Sequence, residues 1–159
     1  AARGVPALEM DTLRLFDGDE RRAALEALDR DLGAHLLAGR DVLLYAANSP
    51  EAVARTRAAG QARGLSVSQV SRLVSEALAE VAAGLAARAG LARLVVAGGE
   101  TSAAVCGRLG VDAVRVWREI QPGLPSCISL GSPPLLLVLK SGSFGTPDFL
   151  EQAVAHLKE

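Results

Sequence analysis

Arg93-Leu94-Val95-Val96-Ala97-Gly98-Gly99-Glu100-Thr101-Ser102 is the stretch on which the reading of this chain turns. Its first half is an apolar run without polar alternation, the pattern of a strand covered on both faces. Two glycines then let the backbone turn tightly and come close to a ligand. Glu100, Thr101 and Ser102 suit a helix start, and a helix is predicted from Ser102 to Leu109, stopped by Gly110. A strand that ends in a glycine turn and feeds a helix is the building unit of α/β folds.

Working outward, the same unit recurs. Pro134 to Leu139 reads as another buried strand, followed by the polar loop Lys140-Ser141-Gly142-Ser143-Phe144-Gly145 and a closing helix from Asp148 to Lys158, with Thr146 as N-cap and Pro147 at the first position. Upstream, Asp41 to Ala47 is a third continuous apolar run, broken by Asn48-Ser49-Pro50, where Ser49 can cap a helix over Glu51 to Arg63. Two further helices are predicted. One runs from Glu20 to Leu37, capped by Asp19; the other runs from Ser66 to Arg88, where Val70, Leu73, Val74, Ala77, Val81 and Leu85 share a face. Ala7 to Phe16 reads as an extended lead-in, Asp112 to Ile120 as an alternating strand, Pro122 to Pro125 as a sharp turn and Ser126 to Leu130 as a short edge strand. The expectation is one α/β domain over 1–159, with a mostly parallel or mixed sheet and helices on both faces, in three layers.

Composition narrows the function. Half of the 159 residues are hydrophobic and only 3% are aromatic, so the core is built mainly from Ala, Leu and Val. A formal net charge of −1 and so few aromatic rings give no footing for nucleic acid, and none is expected as a partner. No apolar run reaches membrane-spanning length. The two cysteines, Cys106 and Cys127, and two histidines, His35 and His156, stand in no zinc-ligand spacing, so no metal site made of protein ligands is expected. Both cysteines read as free thiols of a cytoplasmic protein. Ala1 to Pro6 is no signal peptide and reads like a cut inside a longer chain.

Two places can carry chemistry. Each is a strand end that opens into a glycine loop before a helix, and ligands of open α/β sheets bind beyond the carboxyl ends of strands. At the first, Gly98 and Gly99 bring backbone close to an anion, and Thr101 or Ser102 can donate to a phosphate oxygen. Glu100 can bind a magnesium-associated water or simply favour the helix dipole. The same residues also suit a plain capped junction, and the turn lacks both the Walker lysine and the GxGxxG spacing. At the second, Lys140 is a point charge for phosphate, while Gly142 and Gly145 let amides curl into an anion nest; a surface loop with one exposed lysine is the bland alternative. His35, on the apolar face of its helix, and His156, near a helix C-terminus, read as structural, and Glu119 as an edge-strand charge.

Gly98-Gly99-Glu100-Thr101-Ser102, then Glu119-Ile120-Gln121-Pro122-Gly123-Leu124-Pro125, then Lys140-Ser141-Gly142-Ser143-Phe144-Gly145, in this order and spacing, resemble the C-terminal nucleotide-binding domain of the four-carbon acid sugar kinases. These enzymes phosphorylate 3-oxo-tetronate, D-threonate or D-erythronate with ATP. The resemblance spans about Gly4 to His156. It implies ATP with Mg2+ as cofactors, ATP contacts at Gly98, Gly99, Glu100 and Thr101, and a second set at Lys140, Gly142 and Ser143. It further implies a small acid-sugar substrate held mainly by an N-terminal domain, in a cytoplasmic enzyme compatible with homo-oligomers. An ATP-contacting serine of the family lies upstream of where this chain starts, and the resemblance names no catalytic base in it. Ala103 stands where the family often has Gly, and Ser126 where it often has an aromatic residue. A fragment of such an enzyme is expected to be inactive alone. The competing reading is a non-catalytic α/β interaction or regulatory domain that keeps the fold without the nucleotide. A sugar-phosphate enzyme with the same loop physics is a third.

Overall fold

A computed structural model describes residues 4–142 and 144–159 of the chain. They fall into two units, Ala1–Ala89 and Gly90–Glu159.

The N-terminal unit runs β1 (Ala7–Met10), a short 3-10 helix (Thr12–Phe16), α1 (Gly18–Leu37), β2 (Leu43–Ala46), α2 (Pro50–Gln61) and α3 (Val67–Ala89). β1 and β2 pair in parallel, with Ala7 opposite Leu43 and Met10 opposite Ala46. The predicted lead-in is therefore a strand only as far as Met10. Asp11 then caps the 3-10 turn by accepting from the Leu13 amide. β2 is not covered on both faces as its apolar run predicts: Leu43 and Tyr45 are each 38% exposed. The helix cap also differs. Asp17, not Asp19, is the N-cap of α1, accepting from the amides of Asp19 and Glu20 at 3.0 and 2.9 Å. A cap must reach amides two and three positions ahead, and Gly18 already takes helical angles, so Asp19 comes too late.

Ser49 caps α2 as its position before Pro50 predicts, accepting from Ala52 N at 3.2 Å. α3 starts on a reciprocal pair in which the Ser66 amide donates to Gln69 Oε1 and the Gln69 amide donates to Ser66 Oγ. α1 and α3 pack on each other around Leu25, Leu32, Ala77, Val81 and Leu85, all buried. At the rim, Arg21 pairs with Glu80 at 2.7 Å and Arg88 with Asp29.

The C-terminal unit runs β3 (Arg93–Ala97), α4 (Gly99–Leu109), β4 (Val114–Gln121), β5 (Leu124–Ser129), β6 (Leu136–Lys140) and α5 (Phe149–His156). Its sheet has the order β3-β6-β5-β4. β3 and β6 are parallel, while β6–β5 and β5–β4 are antiparallel, so the sheet is mixed. Side chains alternate across the pleat. Leu136 and Val138 join Leu124, Phe149 and Ala153 on the side of α5. Leu137 and Leu139 join Cys127, Leu109 and Val111 on the side of α4. Within this unit the three-layer arrangement of helix, mixed sheet and helix is complete.

Three details correct the sequence reading here. β5 lies between β6 and β4 rather than at an edge, which is why Ser126 and Ser129 are buried. The turn before it is only Pro122-Gly123, with Gly123 at φ 76°, because Leu124 and Pro125 already pair with Gln121 and Glu119. At α5 the cap position falls on Asp148, not Thr146. Thr146 acts one step earlier: its carbonyl accepts from the Phe149 amide and its hydroxyl donates to Asp148.

Candidate nucleotide-binding site

The last residues of β3 and β6 are register partners: Ala97 lies opposite Lys140. The Gly98 amide continues the ladder by donating to the Lys140 carbonyl at 2.8 Å. Neighbouring strands lie about 4.8 Å apart, so the two glycine loops leave the sheet side by side at its carboxyl end. Among the described residues, this is where predicted site residues from distant parts of the sequence meet.

Gly98 takes φ 112° and ψ 128°, a backbone state that L side chains rarely adopt, and forms the N-cap position of α4 without any side-chain cap. α4 therefore starts three residues earlier than predicted, and its first turn holds Gly99, Glu100 and Thr101. The first amides of a helix have no intrahelical acceptor, and the helix dipole is positive there. The Ser102 amide already closes on the Gly98 carbonyl at 2.8 Å. Gly99 and Glu100 are exposed, so this turn faces solvent. Ser102 Oγ is buried and without a hydrogen-bond partner among the described residues. A buried hydroxyl left unpaired costs about 1–3 kcal/mol, so one beside this glycine turn marks the corner as unusual.

On the other loop, Lys140 Nζ donates to the Gly142 carbonyl at 2.9 Å, folding the cation back over its own loop. Gly142 has φ 61°. Phe144 is 64% exposed. Ser143, named from sequence as a contact, lies outside the described residues. Gly145 has φ 93°, and a Cβ there would lie 3.0 Å from Leu124 Cδ1 and 3.2 Å from Phe149 Cβ, so the loop ends in a position only glycine fits. Thr146, next in line, is held by Gln121: the Thr146 amide donates to Gln121 Oε1 at 3.1 Å and Gln121 Nε2 donates to Thr146 Oγ1 at 2.7 Å. Sequence reasoning gave Gln121 no role. Its only signal was its place in the Glu119–Pro125 motif.

The remaining candidates fall elsewhere. Glu119 Oε1 accepts from the Gly123 amide at 3.1 Å and braces the β4–β5 turn. His35 contacts Arg40 on α1's last turn and beyond. His156 reaches Ser126 Oγ at 2.9 Å. Because the Ser126 hydroxyl donates its proton to the Arg118 carbonyl at 3.0 Å, His156 must donate from Nε2. Its ring also lies 5.5 Å from that of Trp117. An imidazole borrowed from α5 thus packs over the strand position where an aromatic side chain was expected in place of Ser126. Cys106 and Cys127 are free, and burial pushes both thiols above their ordinary pKa. In the N-terminal unit, an open cleft of 260 Å³ at the carboxyl ends of β1 and β2 is lined by Glu9, Asp11, Thr12, Ala47, Arg55 and Thr56; sequence reasoning assigned it nothing.

A family model described as a nucleotide-binding C-terminal domain matches residues 1–150. A 3-oxo-tetronate kinase of Cupriavidus necator is 44% identical over 155 residues, covering 98% of this chain and 33% of the relative. A 3-oxo-isoapionate kinase of Paraburkholderia graminis is 33% identical, covering 93% of this chain and again 33% of the relative. A solved Salmonella typhimurium LT2 protein superposes with a TM-score of 0.75 at 30% identity, over 94% of this chain and 34% of its own. The chain thus spans about a third of the length of these relatives. Among the described residues, no helix is long and apolar enough to cross a membrane.

Proposed function

This chain belongs to the nucleotide-binding C-terminal domain family, and from that premise we propose that it is the ATP-binding part of a cytoplasmic kinase that phosphorylates a four-carbon acid sugar. The observation that carries the proposal is the pairing of Ala97 with Lys140, which sets two glycine loops of opposite ends of the unit next to one another. The donor set suits a polyphosphate. It comprises first-turn amides of α4 at Gly99 and Glu100, the Ser102 hydroxyl, which has no partner among the described residues, and the Lys140 ammonium.

In this reading Gly98, Gly99 and Thr101 border the phosphates. Lys140, once released from the Gly142 carbonyl, neutralises their charge, with Gly142 and Ser143 supplying backbone. Glu100, exposed on the first turn, would hold a water of the nucleotide's Mg2+. The ion would supply charge neutralisation between phosphate oxygens. Phosphoryl transfer needs little more from a protein than positioning and electrostatic stabilisation, so amide, hydroxyl and ammonium donors are an adequate set. The names of the relatives favour 3-oxo-tetronate as the substrate class, with 3-oxo-isoapionate as the neighbouring chemistry. Most of the acid-sugar contacts belong, in this reading, to the remaining two thirds of a polypeptide as long as its relatives.

Calorimetry with ATP·Mg on the wild type and on Gly99→Val tests the nucleotide reading. Gly99 is the right probe, because an added Cβ would meet only Ser141 Cβ at 3.9 Å and its φ is ordinary, so lost binding would not mean a lost fold. Binding by the wild type and at least tenfold weaker binding by the variant is expected. Silence from the wild type, or equal binding by both, overturns the assignment. The chain alone is expected to bind ATP weakly and to turn over no sugar acid; turnover by it alone overturns the two-part requirement.

A further inference from the structure

Gln121 ends β4 and sits at the centre of a closed ring of side chains. Its Nε2 donates to Thr146 Oγ1 at 2.7 Å and to Gln152 Oε1 at 2.9 Å, and its Oε1 accepts from the Thr146 amide at 3.1 Å. Gln152 Nε2 then donates to Asp148 Oδ2 at 2.7 Å, and Thr146 Oγ1 donates to Asp148 Oδ1 at 2.5 Å. Each proton has one place to go. The Thr146 amide can only donate, so the carboxamide oxygen of Gln121 must face it and the nitrogen must face away. Asp148 closes the ring as a pure acceptor on both oxygens, which requires the carboxylate. The ring ties three elements together: the end of β4, the start of α5 and Thr146, the residue directly after the 140–145 loop.

We propose that Gln121 is a positioning residue of the nucleotide site, fixing the far end of the 140–145 loop through Thr146 as the Ala97–Lys140 ladder fixes the near end. A loop held at one end samples many conformations, and an anion nest binds only when its amides converge. Between the two anchors lies Gly142, whose carbonyl accepts from Lys140 Nζ. At the exit, Gly145 is wedged against Leu124 and Phe149, so the backbone there has little room to adjust by itself. This inference rests on the nucleotide reading above. It adds that the Glu119–Pro125 motif serves the site without touching the ligand.

The test is made in the full polypeptide that carries this chain, with ATP·Mg titrated by calorimetry and melting temperature recorded for every variant. Gln121→Leu is expected to weaken ATP·Mg about tenfold, the size of one lost hydrogen bond in loop order, with the Lys140 side chain intact. Gln121→Glu leaves an acceptor for the Thr146 amide but removes both donations and sets two carboxylates in one ring, so binding falls at least as far. Asp148→Asn added to Gln121→Glu removes the carboxylate pair, and Gln152 can flip to donate to the new carboxylate and accept from the new carboxamide, which restores every contact of the ring but one, because the Thr146 hydroxyl has a single proton for two acceptors. That double variant is expected to bind at least threefold more tightly than Gln121→Glu alone while staying weaker than wild type. Mere loss of packing would not be reversed by a second polar change. No binding by the wild type overturns both this inference and the nucleotide reading. Binding by the wild type that Gln121→Leu leaves unchanged, or no recovery in a folded double variant, overturns this inference alone.

Discussion

Gly145→Ala is the substitution whose cost can be worked most directly from the structure. The residue holds φ 93°, outside the ordinary range of an L residue, and holding a non-glycine there costs on the order of 1–3 kcal/mol. The new Cβ would stand 3.0 Å from Leu124 Cδ1 and 3.2 Å from Phe149 Cβ and Cγ. Those two side chains are 4% and 1% exposed, so neither can swing into solvent. Overpacking of that kind adds about 1–3 kcal/mol. The expected loss is therefore roughly 2–6 kcal/mol. Gly142→Ala is the internal control: it too has positive φ, 61°, but its nearest neighbour is the exposed Phe144 at 3.7 Å. Strain without crowding predicts a loss of about 1–2 kcal/mol there. Urea unfolding of both variants measures the difference as a shift in midpoint at constant slope. If Gly145→Ala costs no more than Gly142→Ala, the crowding argument is wrong.

Three further outcomes follow from the same structure. A Cβ on Gly60 would overlap Val70 Cγ2 and press on the Phe16 ring at 3.3 Å, and Val70 is stiff and 3% exposed, so Gly60→Ala should destabilise by about 1–3 kcal/mol despite better helix propensity, as read from the denaturation midpoint. Hydrogen bonds from Thr146 and then Gln152 hold the Asp148 carboxyl below its ordinary pKa. The ring's contribution to stability is thus present above the ordinary carboxylate range and lost as pH falls through the depressed value. Chemical-shift titration should show the Thr146 amide moving with that low midpoint and losing the transition in Asp148→Asn. Burial raises both thiols, and Cys127 is only 7% exposed, so a thiol reagent at neutral pH should label Cys106 slowly and Cys127 only on unfolding. Fast labelling of Cys127 in the folded protein contradicts the packing described.

What could be read from residues alone was the α/β class and the two glycine loops, because apolar runs and glycine turns are local signals. Ser49 before Pro50 was legible as a cap for the same reason. The edge assignment of β5 failed because Ser126 and Ser129 look like surface residues, and their burial depends on β6 arriving between β3 and β5, a long-range event. Asp19 and Thr146 failed as caps by two positions each, since neighbouring polar residues compete for one geometry. Lys140 was read as a free cation, whereas its bond to the Gly142 carbonyl is a property of the folded loop. Gln121 was invisible: a glutamine carries no charge, no periodicity and no turn preference, and its partners Thr146 and Gln152 lie far along the chain.

The parallel pairing of β3 with β6 has a consequence for how this chain can change in length. Ala97 and Lys140 are held opposite one another by strand register, not by the segment that joins them. The joining segment includes Gly131-Ser132-Pro133, between β5 and β6, which can gain or lose residues without moving either glycine loop. A single deletion inside β3 or β6 is a different matter, because it slides one loop past the other by a residue and turns every side chain of that strand to the opposite helix. Length variation among members of this family should therefore collect in the β5–β6 connection and be absent from the ten residues of the two paired strands.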